Sequence, residues 1–175
     1  MKENYAGGVR NLEIPPPPSS ATIESSLVSR LGSKRAANRA VSRVAAELGV
    51  SMDDSQNVLR ALALAKLGGD LDRIAKSLAW DEFEAFCGSA ISAAGYSVQR
   101  NVRLRKPTRQ VDIVAESASL VLSVDCKHWK RAVGARGLER LVRAQAARTR
   151  QYAGRLDQGG ARSYLPVLLT MMDNQ

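Results

Sequence analysis

The segment Leu120-Val121-Leu122-Ser123-Val124 runs without a break into Asp125-Cys126-Lys127. A run this short and this apolar is the mark of a strand covered on both faces, near the centre of a mixed or parallel sheet. Successive strand side chains point to opposite faces, so Asp125 and Lys127, two apart, must emerge on the same side. A carboxylate and an ammonium at the end of a buried strand are costly to desolvate unless they serve a site. This stretch therefore constrains the fold to a covered sheet with a charged edge.

The elements around it follow from periodicity and from turn residues. Residues 80–94 predict an amphipathic helix with Phe83, Phe86, Cys87, Ala90 and Ile91 inward, closed by Gly95. Residues 96–104 predict a strand, residues 105–109 a basic turn, and residues 110–115 a second strand. A turn at 116–119 leads into the third strand, 120–128. A long basic helix is expected over 134–153, ended by Gly154, and a last strand over 164–171. Three antiparallel strands, a crossover helix and one more strand make a mixed α/β sheet flanked by helices.

Upstream, the pattern differs. Residues 1–20 read as an extended, proline-rich tail, since Gly7-Gly8 and Pro15 to Pro18 forbid a helix. Residues 21–79 read as a small all-α region, with helices over 22–31, 35–48, 54–67 and 70–79. Ala37, Val41, Val44, Ala45 and Leu48 form the apolar stripe of the second, which Gly49 terminates; Ser51 is an expected N-cap for the third, which Gly68-Gly69 ends. The stretch from Val44 to Leu62 resembles a helix-turn-helix, although Ser55 stands where that motif usually has an apolar residue. A helical bundle that packs on the next domain fits the same pattern. The expected division is thus a tail at 1–20, a helical region at 21–79 and a catalytic domain at 80–175.

Charge narrows the class of partner. The chain of 175 residues carries 26 Lys/Arg against 17 Asp/Glu, a formal net charge of +9. A basic excess of this size favours a polyanion, most often nucleic acid. Residues 81–175 hold 15 of the cations against 9 of the acids, so the C-terminal half is the expected binding surface. No run approaches the ~18 apolar residues of a membrane span. The start, Met1 to Arg10, has no apolar leader core, and the two cysteines, Cys87 and Cys126, make no secreted-type framework. A cytoplasmic protein with reduced thiols, no membrane partner and no small-molecule cofactor is expected.

The chemistry centres on three positions. Asp112 lies across a short hairpin from Asp125, and a turn centred near 117–119 sets it opposite residues 124–126. Two such carboxylates suit a hard cation, Mg2+ or Mn2+. The backbone carbonyl of Cys126 could add a ligand. Lys127 beside them could orient an attacking water or meet charge developing on phosphorus. A third carboxylate would come from the helix packed on the sheet; Glu82 and Glu84 are the candidates, and Glu84, between Phe83 and Phe86, is preferred. His128 alternates to the other face from Lys127, and Trp129 reads as a packing residue.

Asp112 followed by Asp125-Cys126-Lys127 resembles the signature of the PD-(D/E)XK nucleases. With Trp80 to Phe86, the Ala94-Gly95-Tyr96 turn, Val111 to Val114 and Val124 to Trp129, residues 80–153 are similar to archaeal Holliday-junction resolvases and to methylation-dependent restriction endonucleases. The resemblance implies a restriction-endonuclease-like fold and metal-dependent hydrolysis of DNA phosphodiesters. It implies Asp112 and Asp125 as metal ligands, Lys127 as catalytic and Glu84 as the helix carboxylate. Val111 replaces the proline of the signature, and Asp125 stands where resolvase-like members usually have glutamate. Some relatives carry a glutamine and a tyrosine one helical turn apart; here Gln145 and Tyr152 are seven apart. Phosphate contacts are expected from Arg103, Arg105, Lys106, Arg109, Lys130, Arg131, Arg136, Arg140 and Arg143. A homodimer is expected by analogy with enzymes that cut both strands. The rival expectations are an inactive DNA-binding protein on the same scaffold and a structural subunit of a DNA-processing complex.

Overall fold

A computed structural model of the chain describes residues 20–51, 56–129, 133–156 and 162–172. Four helices come first: α1 (Ser20–Leu31), α2 (Lys34–Leu48), α3 (Gln56–Lys66) and α4 (Leu71–Lys76). They are followed by α5 (Trp80–Ala93), β1 (Ser97–Leu104), β2 (Arg109–Glu116), β3 (Leu120–Trp129), α6 (Ala135–Leu156) and β4 (Ser163–Met172). The sheet order is β1-β2-β3-β4, antiparallel through β3 and parallel between β3 and β4, with α6 as the crossover. This is the mixed α/β sheet flanked by helices that the element order predicts. The proline-rich tail and Ser55 lie outside the described residues.

The caps explain where the helices stop. Ser33 accepts from the Ala36 N–H at the start of α2, and Gly49, at φ 64°, returns its own N–H to the Ala45 and Ala46 carbonyls. The end of α3 turns through Gly68 at φ 74°, and Gly69 N–H reaches the Leu64 carbonyl at 2.9 Å. Helix α4 ends at Lys76, three residues earlier than expected, because the Ser77 hydroxyl donates to the Ile74 carbonyl at 2.6 Å and takes over the ladder. Helix α6 instead runs through Gly154 to Leu156. Its last turn is anchored by Arg155, whose guanidinium donates to the Arg103 and Arg105 carbonyls at 3.4 and 3.1 Å.

The sheet has two differently covered faces. One carries Ile113, Val124, Cys126 and Met171 against Phe83, Phe86 and Cys87 of α5, and this cluster continues without interruption into Ile23, Leu27, Val41, Leu59 and Ile74 of the helical region. The other face packs Leu104, Val111, Val114 and Val121 around Tyr152 of α6. Helix α3 spends most of its surface inside this core: Val58, Leu59, Ala61, Leu62, Ala63 and Leu64 are all buried. Its polar side chains Asn57 and Arg60 are also engaged, with Glu82 and with Gln56 and Glu24.

Candidate active site

A break in strand pairing creates the site. Strands β2 and β3 pair from Glu116↔Val121 to Ile113↔Val124 and no further. The next pair would have been Asp112 with Asp125. In the β1–β2 ladder the same level is skipped, since Arg100 pairs Ile113 and Val102 pairs Val111, and Asn101 adopts φ 56°. A left-handed residue in a strand re-aims the chain, as bulges do beside active sites. Across this level, Val111 and Val114, three positions apart, both pack in the cluster around Tyr152 of α6.

Where the ladder stops, side chains replace backbone. Asp112 Oδ2 accepts the Cys126 N–H at 2.8 Å, the bond that a β2 carbonyl would otherwise have taken. In an extended strand the N–H and C=O of one residue point towards the same neighbour. The Cys126 carbonyl therefore faces the same gap, where it accepts from Lys127 Nζ at 3.1 Å. Lys127 Nζ also lies 2.7 Å from Asp125 Oδ1, as their shared strand face requires.

Asp125 is the most enclosed charge in the site: its side chain is 3% exposed. Its second oxygen, Oδ2, lies 2.8 Å from Arg148 Nη2 of α6. That contact is a close ion pair rather than an aligned hydrogen bond. Arg148 Nε donates to Gln145 Oε1 at 2.8 Å, and Gln145, fully buried, donates through Nε2 to the Ser123 carbonyl at 2.5 Å and to its hydroxyl at 3.2 Å. A closed ring thus links Ser123 and Asp125 of β3 through two side chains of α6.

Glu84 on α5 approaches from the other face. Burial and then the charge of Asp112 raise its pKa above the usual carboxylate range, against a hydrogen bond from Trp80. Asp112 is raised too, by burial first and by the Asp125 charge, against the opposing Cys126 N–H bond and Lys127. Glu82, the other acid considered on this helix, is occupied elsewhere: it caps α5 by accepting the Ala79 N–H at 2.9 Å and holds Asn57 at 2.9 Å. The structure therefore brings Asp112, Asp125 and Lys127 together, places Glu84 within electrostatic reach of Asp112 and Lys127, and sets Glu82 aside.

The donor set suits a hard cation. Two carboxylates and one backbone carbonyl converge on a gap where like charge already raises the Asp112 pKa, and added positive charge relieves that crowding. The Cys126 thiol is not a ligand: its hydrogen bond to Cys87 and its burial push its pKa far up, and it packs into the core. Among the described residues no group of three or more His, Cys, Asp or Glu side chains is arranged to hold a metal ion.

The basic residues fall into three groups. Arg103, Arg105, Lys106 and Arg109 lie on the β1–β2 hairpin, which is tied to α6 by Gln151 donating to the Arg105 and Pro107 carbonyls at 3.1 and 2.9 Å. Arg136, Arg140 and Arg143 are exposed on α6, and Arg143 pairs with Glu139 at 2.6 Å. Lys130 and Arg131 lie outside the described residues. Gln145 and Tyr152 share the sheet-facing side of α6, but Tyr152 serves Glu116, 2.7 Å away at the other end of β2. Arg148 was not among the residues singled out from sequence, where it reads as one more charge on a basic helix. No described helix is long and apolar enough to cross a membrane.

Residues 75–154 match the family model Mrr_cat, described as restriction endonuclease. No curated protein and no solved structure matches the chain.

Proposed function

From a domain of restriction-endonuclease type, we propose a metal-dependent DNA endonuclease in which Asp112 and Asp125 hold Mg2+ or Mn2+ and Lys127 acts in the chemistry. The observation that carries this reading is the strand break that sets Asp112, the Cys126 carbonyl, Asp125 and Lys127 around one gap. A bound divalent cation would supply Lewis-acid polarisation of the phosphoryl oxygens and a water of lowered pKa.

The chain's own groups do the rest. Asp112 is held by the Cys126 N–H through Oδ2, which leaves Oδ1 for a ligand. Lys127 is 30% exposed and can swing from Asp125 to a phosphate oxygen, where its charge meets the charge that builds as water attacks phosphorus and the sugar oxygen departs. Glu84, held towards its neutral form, stands beside Asp112 as a group able to take or return a proton. Arg136 and Arg140, with the hairpin cations Arg105, Lys106 and Arg109, supply phosphate contacts. Cutting both strands would use a homodimer, and light scattering of the purified chain with and without duplex tests that.

A second reading has its own observation. Both Asp125 oxygens are already held by cations, so the same site could be a charge-balanced, silent scaffold that binds DNA without cutting it. Cleavage of labelled linear, branched and single-stranded DNA decides between them. The assay compares Mg2+, Mn2+ and chelator for the wild type, Lys127→Ala and Asp112→Asn. Metal-dependent cutting that both substitutions abolish is expected. Equal binding by all three proteins with no cutting would leave only the scaffold reading.

A further inference from the structure

The site contains one cation that the proposed chemistry does not use. Lys127 and Arg148 both neutralise Asp125, but they are built differently. Lys127 sits on a flexible stem, 30% exposed, and its other partner is a single carbonyl. Arg148 is 18% exposed and held at a second point, where its Nε donates to a Gln145 that is itself fixed twice to Ser123. A planar guanidinium clamped in this way keeps its geometry, whereas an ammonium does not. Ser123 lies two residues before Asp125 on the same strand face, so the ring sets the carboxylate of Asp125 against the strand that bears it.

The consequence concerns which oxygen remains on offer. Lys127, on its more exposed stem, can leave Oδ1, while Arg148, held by Gln145, stays as an ion pair 2.8 Å from Oδ2. We propose that Arg148 is a positioning residue that makes Asp125 a one-oxygen ligand, and so selects small octahedral ions over Ca2+. Calcium takes six to eight oxygens and often engages a carboxylate through both, whereas Mg2+ and Mn2+ are served by one oxygen per carboxylate. An arginine held beside the second oxygen by its Nε bond to Gln145 penalises the first mode and leaves the second intact. This inference rests on the reading of Asp112 and Asp125 as metal ligands.

The test reads binding rather than cleavage. The full chain, free of DNA, is titrated calorimetrically with MnCl2 and with CaCl2 as wild type, R148M and R148K. The wild type is expected to favour Mn2+ over Ca2+, and R148M to narrow that preference by about tenfold, chiefly through tighter Ca2+ binding. R148K keeps a charge but loses the Nε bond to Gln145, and its preference should fall between the two. A Mn2+/Ca2+ ratio unchanged in R148M, with Mn2+ binding intact, overturns the selectivity role alone. Failure of the wild type to bind either ion overturns the metal reading and this inference with it. If R148M does not fold, R148K decides: a wild-type ratio in that variant shows that the Gln145 anchor does nothing for ion choice.

Discussion

Replacing Asp125 by alanine is the perturbation whose size the structure fixes most closely. The carboxylate is 3% exposed and is the shared counter-ion of Lys127 and Arg148. Breaking a fully buried pair by deleting one partner costs about 3–5 kcal/mol, because a charge is left uncompensated. Here the orphaned cations are two, but Lys127 at 30% exposure can turn into solvent, and Arg148 at 18% can do so in part. Partial exposure of both cations brings the expected loss below that range, to about 2–3 kcal/mol. For a chain of this length that corresponds to a fall of about 5–10 °C in Tm. Lys127→Ala removes only the more exposed partner and leaves Asp125 paired with Arg148, so its cost should stay below about 1 kcal/mol. The assay is thermal unfolding followed by circular dichroism, in chelator, with urea titration at 25 °C as a check. An Asp125→Ala protein that melts within about 2 °C of wild type would refute the view that one carboxylate holds β3 and α6 together. The comparison also has a practical side: Lys127→Ala, not Asp125→Ala, is the variant whose loss of cleavage can be read without a fold defect.

Three further expectations follow from other parts of the molecule. Glu84 has a raised pKa, so ionising it beside Asp112 costs stability as the pH rises through that raised value, and the cost is absent below the ordinary carboxylate range; Glu84→Gln should raise Tm by about 1–2 °C near neutral pH and change nothing in acid. Gly69→Ala places a Cβ 2.8 Å from both the Leu64 side chain and its carbonyl oxygen, at the turn after α3; a loss of about 1–3 kcal/mol in urea unfolding is expected, and an unperturbed midpoint would show that the turn relaxes freely. Removing Arg136 and Arg140 together should lower the slope of log affinity against log salt by about 1.8 on duplex DNA, measured by fluorescence anisotropy; an unaltered slope would remove them from the phosphate surface.

The parts of the site that depend on short-range geometry were legible in the sequence. Strand alternation forces Asp125 and Lys127 to one side, and the two-strand register sets Asp112 opposite Asp125 with no knowledge of the rest of the chain. The choice of Glu84 over Glu82 was legible only through the flanking phenylalanines. The stronger signal, Glu82 as a capping acid, was hidden because its N-cap residue is Ala79, which has no side chain to announce a cap. Arg148 was hidden for a different reason. Arg136, Arg140 and Arg143 trace the solvent side of α6, and charge on that side is what a basic helix leads one to expect. The sheet-facing side is Gln145, Arg148, Thr149 and Tyr152, spaced by three, four and seven. That is the spacing of a core stripe written in polar residues, and it was the available clue. The length of α6 was misjudged because the Arg155 bonds that hold its last turn join it to β1, fifty residues away, and no local rule reports them.

The continuity of the apolar cluster from α1 to the underside of the sheet bears on how such a protein can change. Here Ile113, Val124, Cys126 and Met171 of the sheet share one interior with Ile23, Leu27 and Leu59 of the helices. Excising residues 80–175 would keep α5 on the sheet but uncover the apolar side of α5 that α2 and α3 cover, leaving a surface prone to self-association. A different helical region could not be grafted at residue 80 by simple fusion, because the graft would also have to supply the apolar partners of α5. Change is therefore more easily accommodated at surface positions, such as the hairpin at Arg105 and the outer side of α6, than by exchange of the whole helical region.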